Sequence, residues 1–238
     1  MSEFKENDIE LMDEDKAIDR EIKTSLRNAF IKKVYGIIFF QLLITTAVVY
    51  YVMTNDFIIN FMINYYPILY VCLIFEIAII LICGCTKLAR QVPLNYILLI
   101  TFTILEAISI SYTTLYFEPL SVLTAAGLTM LIVLGLTLYA WTSKTDLTMH
   151  GGIFLTLSLI LCFLGIIGIF FRSYFYQCFL CCFGVLLMSI YLIYDTQLVI
   201  GNKKNLISMD LYIIAAMMIY LDVINIFLYI LRLFGKKK

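Results

Sequence analysis

Four carboxylic acids lie inside apolar runs of this 238-residue chain: Glu76, Glu106, Asp195 and Asp222. An ionisable group at bilayer depth costs at least ~2.5–3.5 kcal/mol on insertion scales, and such groups usually mark ion or proton paths. Only Lys87 offers a cation near the end of one of these runs. The interior is net acidic, which favours a cation path or proton carriage over structural ion pairs. The plainer alternative is that the acids are protonated, hydrogen-bonded core groups with no transport role.

Helical spacing groups these acids with other polar residues. Around Asp222, the residues Ala215, Met218, Asn225 and Tyr229 fall at i−7, i−4, i+3 and i+7, one stripe that should face a bundle interior. Thr103, Glu106, Ser109 and Thr113 make a similar face, and Cys72, Glu76, Cys83 and Lys87 a third. Thr103, Asn225 and Tyr229 are the candidate pore-lining groups beside the acids.

Asp195 and Asp222 belong to consecutive apolar runs, so a helical hairpin can bring them together. Two carboxylates sharing a low-dielectric site cannot both ionise easily and will share a proton. Such a pair senses acid, and when deprotonated it offers hard oxygen ligands to a divalent cation. The expected boundaries place Asp195 about six residues and Asp222 about twelve from their connector, so the pairing requires that connector to lie unevenly.

The elements that must carry these groups are membrane spans. Hydrophobic residues make up 63% of the chain and mean hydropathy is +0.97, against about 45–50% apolar content in soluble domains. A span takes ~20 apolar residues. The pattern predicts an all-α integral membrane protein with about seven transmembrane helices, near 34–54, 67–86, 95–115, 119–140, 150–172, 176–200 and 210–233. Residues 26–238 form the transmembrane domain, with no room for a second, soluble domain. Pro67, Pro93 and Pro119 all fall at starts or connectors, where a helix tolerates them.

Nine of the 17 acidic residues lie between Glu3 and Glu21, so residues 1–25 read as an acidic, disordered cytosolic tail. No apolar h-region precedes it, so the first span should serve as the membrane signal. The seven cysteines are too scattered for a disulfide framework, Cys178 and Cys181 lack a βαβ setting for redox work, and Cys83 or Cys85 could carry palmitate. One histidine, His150, excludes a multi-histidine metal centre, and no Asn-x-Ser/Thr sequon occurs. No cofactor, enzyme activity or nucleic-acid partner is expected.

Lys and Arg concentrate before the first span (Arg20, Lys23, Arg27, Lys32, Lys33) and in connectors 2–3 (Lys87, Arg90), 4–5 (Lys144) and 6–7 (Lys203, Lys204). The N-terminus and those connectors are therefore expected in the cytosol. Arg232 and Lys236–Lys238 resist this, because a seventh full crossing puts them on the other side. Either the last segment is re-entrant or the earlier charges override these; seven crossings is the favoured reading.

Five segments in this order and spacing carry a resemblance: Arg27–Tyr35 with Gln41, Leu42 and Thr45; Phe102–Glu106; Ser143–Thr148; Ile193–Gln197; and Leu221–Phe227. The chain resembles the transmembrane Bax inhibitor motif family, most closely its lifeguard branch with the Golgi anti-apoptotic proteins. The resemblance implies a seven-helix bundle with the last helix near its centre, in Golgi or endoplasmic reticulum membranes. It also implies a calcium leak toward the cytosol and suppression of cell death, with membrane-protein partners in cell-death signalling. The family's paired aspartates match Asp195 and Asp222. A basic residue that latches the pair in a bacterial relative matches Lys87; lysine lacks the bidentate fork, and Arg90 is the substitute latch.

The function expected is a pH-sensitive, calcium-permeable leak gated by the aspartates, with Glu76 and Glu106 adding to the ion path. The alternative is a non-conducting regulator that binds death-pathway or channel proteins. An intramembrane aspartyl protease fits poorly: Ile219, Tyr220 and Leu221 precede Asp222 where a Gly-x-Gly-Asp motif would be needed, and no proline follows Pro119.

Overall fold

The computed structural model describes residues 2–170, 173–201 and 206–238, with the side chains of residues 2–17, 19, 87 and 169 outside that description. Lys203 and Lys204, which entered the orientation argument, also lie outside it. The described helices are α1 (Ser2–Thr54), α2 (Asp56–Asn64), α3 (Pro67–Cys85), α4 (Leu94–Thr114), α5 (Pro119–Thr142), α6 (Gly151–Phe170), α7 (Tyr174–Ile200) and α8 (Tyr212–Phe234). Seven of them, α1 and α3–α8, are long and apolar enough to cross a bilayer. Lipid explains why large side chains such as Leu120, Leu131 and Phe163 stay exposed along them, since a soluble surface rarely tolerates so much contiguous apolar area.

Local chemistry sets the ends. Pro67 and Pro119 occupy the first turns of α3 and α5, where the missing N–H leaves no hydrogen bond unmade. Gly201 ends α7 in the left-handed conformation, with φ of 74°. Two features are not given by the hydropathy pattern. The backbone of residues 2–25 is helical and runs unbroken into the first span. Residues 2–35 contain neither proline nor glycine, and a helix anchored by a span propagates more easily than it nucleates. The connector after α1 contains the short helix α2, capped by the Asn55 side chain, which accepts from the Phe57 and Ile58 amides at 3.1 and 3.3 Å; its Met62 packs with Val52 and Leu115.

Helix α8 is the core of the bundle. About 61% of its membrane window is buried, against 11% for α6, and it packs on α1, α4, α5 and α7. The expected stripe around Asp222 is only partly enclosed: Ala215 and Asp222 are buried while Met218, Asn225 and Tyr229 are half-buried, and the enclosed surface instead includes Ile213, Tyr220, Ile226 and Leu231.

Polar contacts define two ends of the bundle. At one end Arg27 reaches the α7–α8 connector, Arg90 pairs with Asp210 at 2.9 Å, and the Lys33 ammonium lies 3.4 Å over the Tyr212 ring. The Gln197 side chain accepts from the Leu147 amide and donates to the Thr145 carbonyl, bringing connector 4–5 to the same end. At the opposite end the Glu118 amide donates to Lys236 O, the Lys238 amide to Tyr116 O, and the Lys236 ammonium meets Glu118 at 2.7 Å. Helix α8 therefore runs from one end of the bundle to the other, as the seven-crossing reading requires. Glu118 balances a charge that otherwise argued against the seventh crossing.

Candidate functional site

Asp195 on α7 and Asp222 on α8 are buried, with 4% and 7% of their surfaces exposed. Their side chains face each other within hydrogen-bonding range. The two lie at unequal helical distances from the hairpin's closed end, Asp195 five residues before Ile200 and Asp222 ten after Tyr212. The connector accommodates this unevenly: the Ile207 amide donates back to Leu198 O, and a 3-10 turn over Met209–Leu211 precedes α8. Close approach further along comes from Gly184, where an added Cβ would lie 2.6 Å from the Tyr229 ring.

Asp195 Oδ1 and Asp222 Oδ2 have no hydrogen-bond partner among the described residues. Buried carboxyl oxygens rarely stay unpaired. A protonated member can donate to the other, and two ionised members cannot satisfy each other at all. The same condition holds for Tyr35 Oη, Gln41 Oε1 and Thr196 Oγ1. Tyr35 of α1 and Thr196, beside Asp195, lie close to each other next to Thr137 and Trp141 of α5.

Glu76 and Glu106, placed on separate polar faces by the sequence, form a second pair between α3 and α4. The Ser109 hydroxyl donates to Glu76 Oε1 at 2.8 Å. Buried neighbours continue this polar seam: the Gln41 amide donates to Thr103 Oγ1 at 3.0 Å, and the Thr45 and Tyr220 hydroxyls meet at 2.8 Å. Of the other candidates, the Asn225 amide donates within its own helix to Leu221 O at 2.8 Å, and Tyr229 packs against Gly184.

The latch expectation is corrected in one respect. Arg90 sits half-exposed in the turn Lys87–Arg90 and pairs with Asp210, not with the buried aspartates. Reaching the pair would strip its guanidinium of water that Asp210 lets it keep. The Lys87 side chain lies outside the described residues. Sequence reasoning missed the Glu76–Glu106 pairing, the Ser109 donor and the contacts of Arg27, all of which join distant segments.

A family profile described as "Inhibitor of apoptosis-promoting Bax1" matches residues 27–238. The chain belongs to the Bax inhibitor family. It is 31% identical over 217 residues to Protein lifeguard 3 of Homo sapiens, covering 89% of this chain and 70% of that protein. Similarity to Protein lifeguard 4 of Mus musculus is 34% over 213 residues, covering 87% and 84%. This Bax inhibitor relative is thus a multi-pass membrane protein of an anti-apoptotic family, and the matched region spans the whole bundle with both carboxyl pairs.

Proposed function

We propose that this chain is a pH-sensitive, calcium-permeable leak of Golgi or endoplasmic reticulum membranes, gated by Asp195 and Asp222 and acting to suppress cell death. The buried, mutually facing aspartates on the two most closely associated helices carry the reading. With both ionised, repulsion across α7 and α8 loosens the hairpin; with one proton shared, a hydrogen bond draws it closed. Loss of negative charge also weakens cation attraction, so both effects point to less flux in acid. Ca²⁺ takes six to eight oxygen ligands. Two carboxylates supply part of such a shell and water the rest, which suits an ion that passes rather than stays. Glu76 and Glu106 form a second acidic station along the path. The Lys/Arg bias supports a cytosolic N-terminus.

The test is Ca²⁺ flux into liposomes carrying the purified protein, across pH 5–8, for the wild type, Asp195→Asn and Asp222→Asn. The wild type should pass less Ca²⁺ as pH falls, and each variant should lose most of that response while keeping side-chain size. Wild-type pH profiles in both variants would make the aspartates structural groups and end the gating mechanism. Folded protein with no flux above empty liposomes would favour a non-conducting regulator.

A further inference from the structure

The Arg27 side chain belongs to α1, yet its three contacts lie at the far end of the chain. Nε donates to Ile200 O at 3.3 Å, Nη1 to Ile207 O at 2.7 Å, and Nη2 to Leu198 O. The last carbonyls of a helix lack intrahelical partners. In α7, the Gly201 amide takes Gln197 O and the Ile207 amide shares Leu198 O with Arg27. A planar guanidinium spreads five donors over three nitrogens and so reaches three separated carbonyls at once, whereas the three donors of an ammonium all radiate from a single nitrogen. Its charge also sits at the negative end of the helix dipole. Gly201 is part of the same construction: besides its positive φ, any Cβ there would stand 2.6 Å from Arg27 Nε. Phe30, one turn along α1, lies under the guanidinium at 4.8 Å.

We infer that Arg27 is a positioning residue of the paired-aspartate site, clasping the end of α7 and the part of the connector that leads into α8 so that Asp195 is presented to Asp222. Leu198 lies one helical turn after Asp195, and Ile207 leads into the helix that carries Asp222. The clasp thus fixes both arms of the hairpin at its closed end. The inference deepens the leak reading, since the site it positions is the proposed gate. Among the described residues, Asp195 faces Asp222 from α8 and has Tyr194 beside it on α7. Asp146 lies ahead of the turn that packs on α7, while α5 and α6 contain no Asp, Glu, Lys or Arg.

Infrared difference spectroscopy of protonated carboxyl groups, on the full-length protein in nanodiscs, reads this site without reference to flux. The band lost in Asp222→Asn identifies the pair. In Arg27→Gln, Arg27→Lys and Gly201→Ala the midpoint of that band should move by about one pH unit or more, tenfold in proton affinity. A shift in Arg27→Lys, which keeps the charge but not the fork, separates positioning from bulk charge. If Arg27→Gln does not fold, the other two variants carry the test. Wild-type midpoints in all folded variants would overturn the positioning role and leave the leak reading intact. A normal set of shifts with no Ca²⁺ flux in the wild type would do the reverse, and a wild type without a titrating band would overturn both.

Discussion

Placing a methyl group at Gly184 tests the approach of α7 to α8 on which the aspartate pair depends. An ideal Cβ there would lie 2.6, 2.7 and 2.7 Å from three atoms of the Tyr229 ring. Carbon atoms pack favourably at about 3.5 Å or more, so the contact is short by roughly 0.9 Å. Either the ring swings out of its position or the helices separate by a similar distance. Overpacking of this kind costs about 1–3 kcal/mol. At about 2–4 °C per kcal/mol for a chain of this size, thermal melting in detergent should fall by several degrees for Gly184→Ala. The Tyr229→Leu background removes the ring, and there the added methyl should cost close to nothing. The two changes should therefore be non-additive, with a coupling of about the size of the single-mutant loss. A Gly184→Ala protein that melts like the wild type, or loses equal stability with and without the Tyr229 ring, would refute the close approach.

Two further outcomes follow from other parts of the bundle. Ser109→Ala leaves Glu76 Oε1 without the hydroxyl that donates to it, so stability should drop by about 1–3 kcal/mol; unchanged melting would mean that water reaches Glu76. Single cysteines at the exposed positions 23 and 238, on a cysteine-free background, should label from opposite faces of sealed vesicles; labelling from one face would return α8 to a re-entrant path. The hydrogen bond and charge of Glu118 hold the Lys236 ammonium above its ordinary range. Its contribution is complete below that range and is lost only as pH rises through it, so a series between pH 5 and 8 leaves the lysine charged.

The spans were legible because each must present about twenty apolar residues, whatever surrounds it. Their arrangement was not legible from hydropathy. Helix α6, with mean hydropathy 2.3, is 11% buried in its window, while α8, at 2.2, is 61% buried. Lipid tails are as apolar as leucine, so the pattern cannot separate a lipid-facing helix from a central one. The interior position of Asp222 followed from the cost of charge in the membrane, and the α3 face of Cys72, Glu76 and Cys83 followed from helical period; all are buried. The Arg27 contacts left no such trace, because their acceptors are backbone carbonyls that any sequence supplies. Only Gly201, whose positive φ and missing Cβ both serve the clasp, carried a local sign of it.

The constraints on α8 narrow how a gate at the aspartate pair can open. One end of the helix is held by Asn95, whose amide donates to the Tyr212 hydroxyl at 2.9 Å, and by Lys33 over the same ring. The other end is tied through Lys236 and Lys238 to the connector at residues 116–118. Sliding α8 along its axis would break contacts at both ends together. Lateral separation of α7 breaks neither set. Helix α7 packs on α6, the helix least covered by protein. Moving that pair outward keeps the α6–α7 contact and turns the α7 faces packed on α8 and α5, Leu187, Leu192 and Val199 among them, toward lipid tails as apolar as the side chains they replace. Repulsion between Asp195 and Asp222 acts along this same direction, across the α7–α8 seam. On the proposed leak reading, opening at the pair would be a swing of α6 and α7 away from α8, whose two ends are tied, with the Arg27 clasp at the closed end of the hairpin as its pivot.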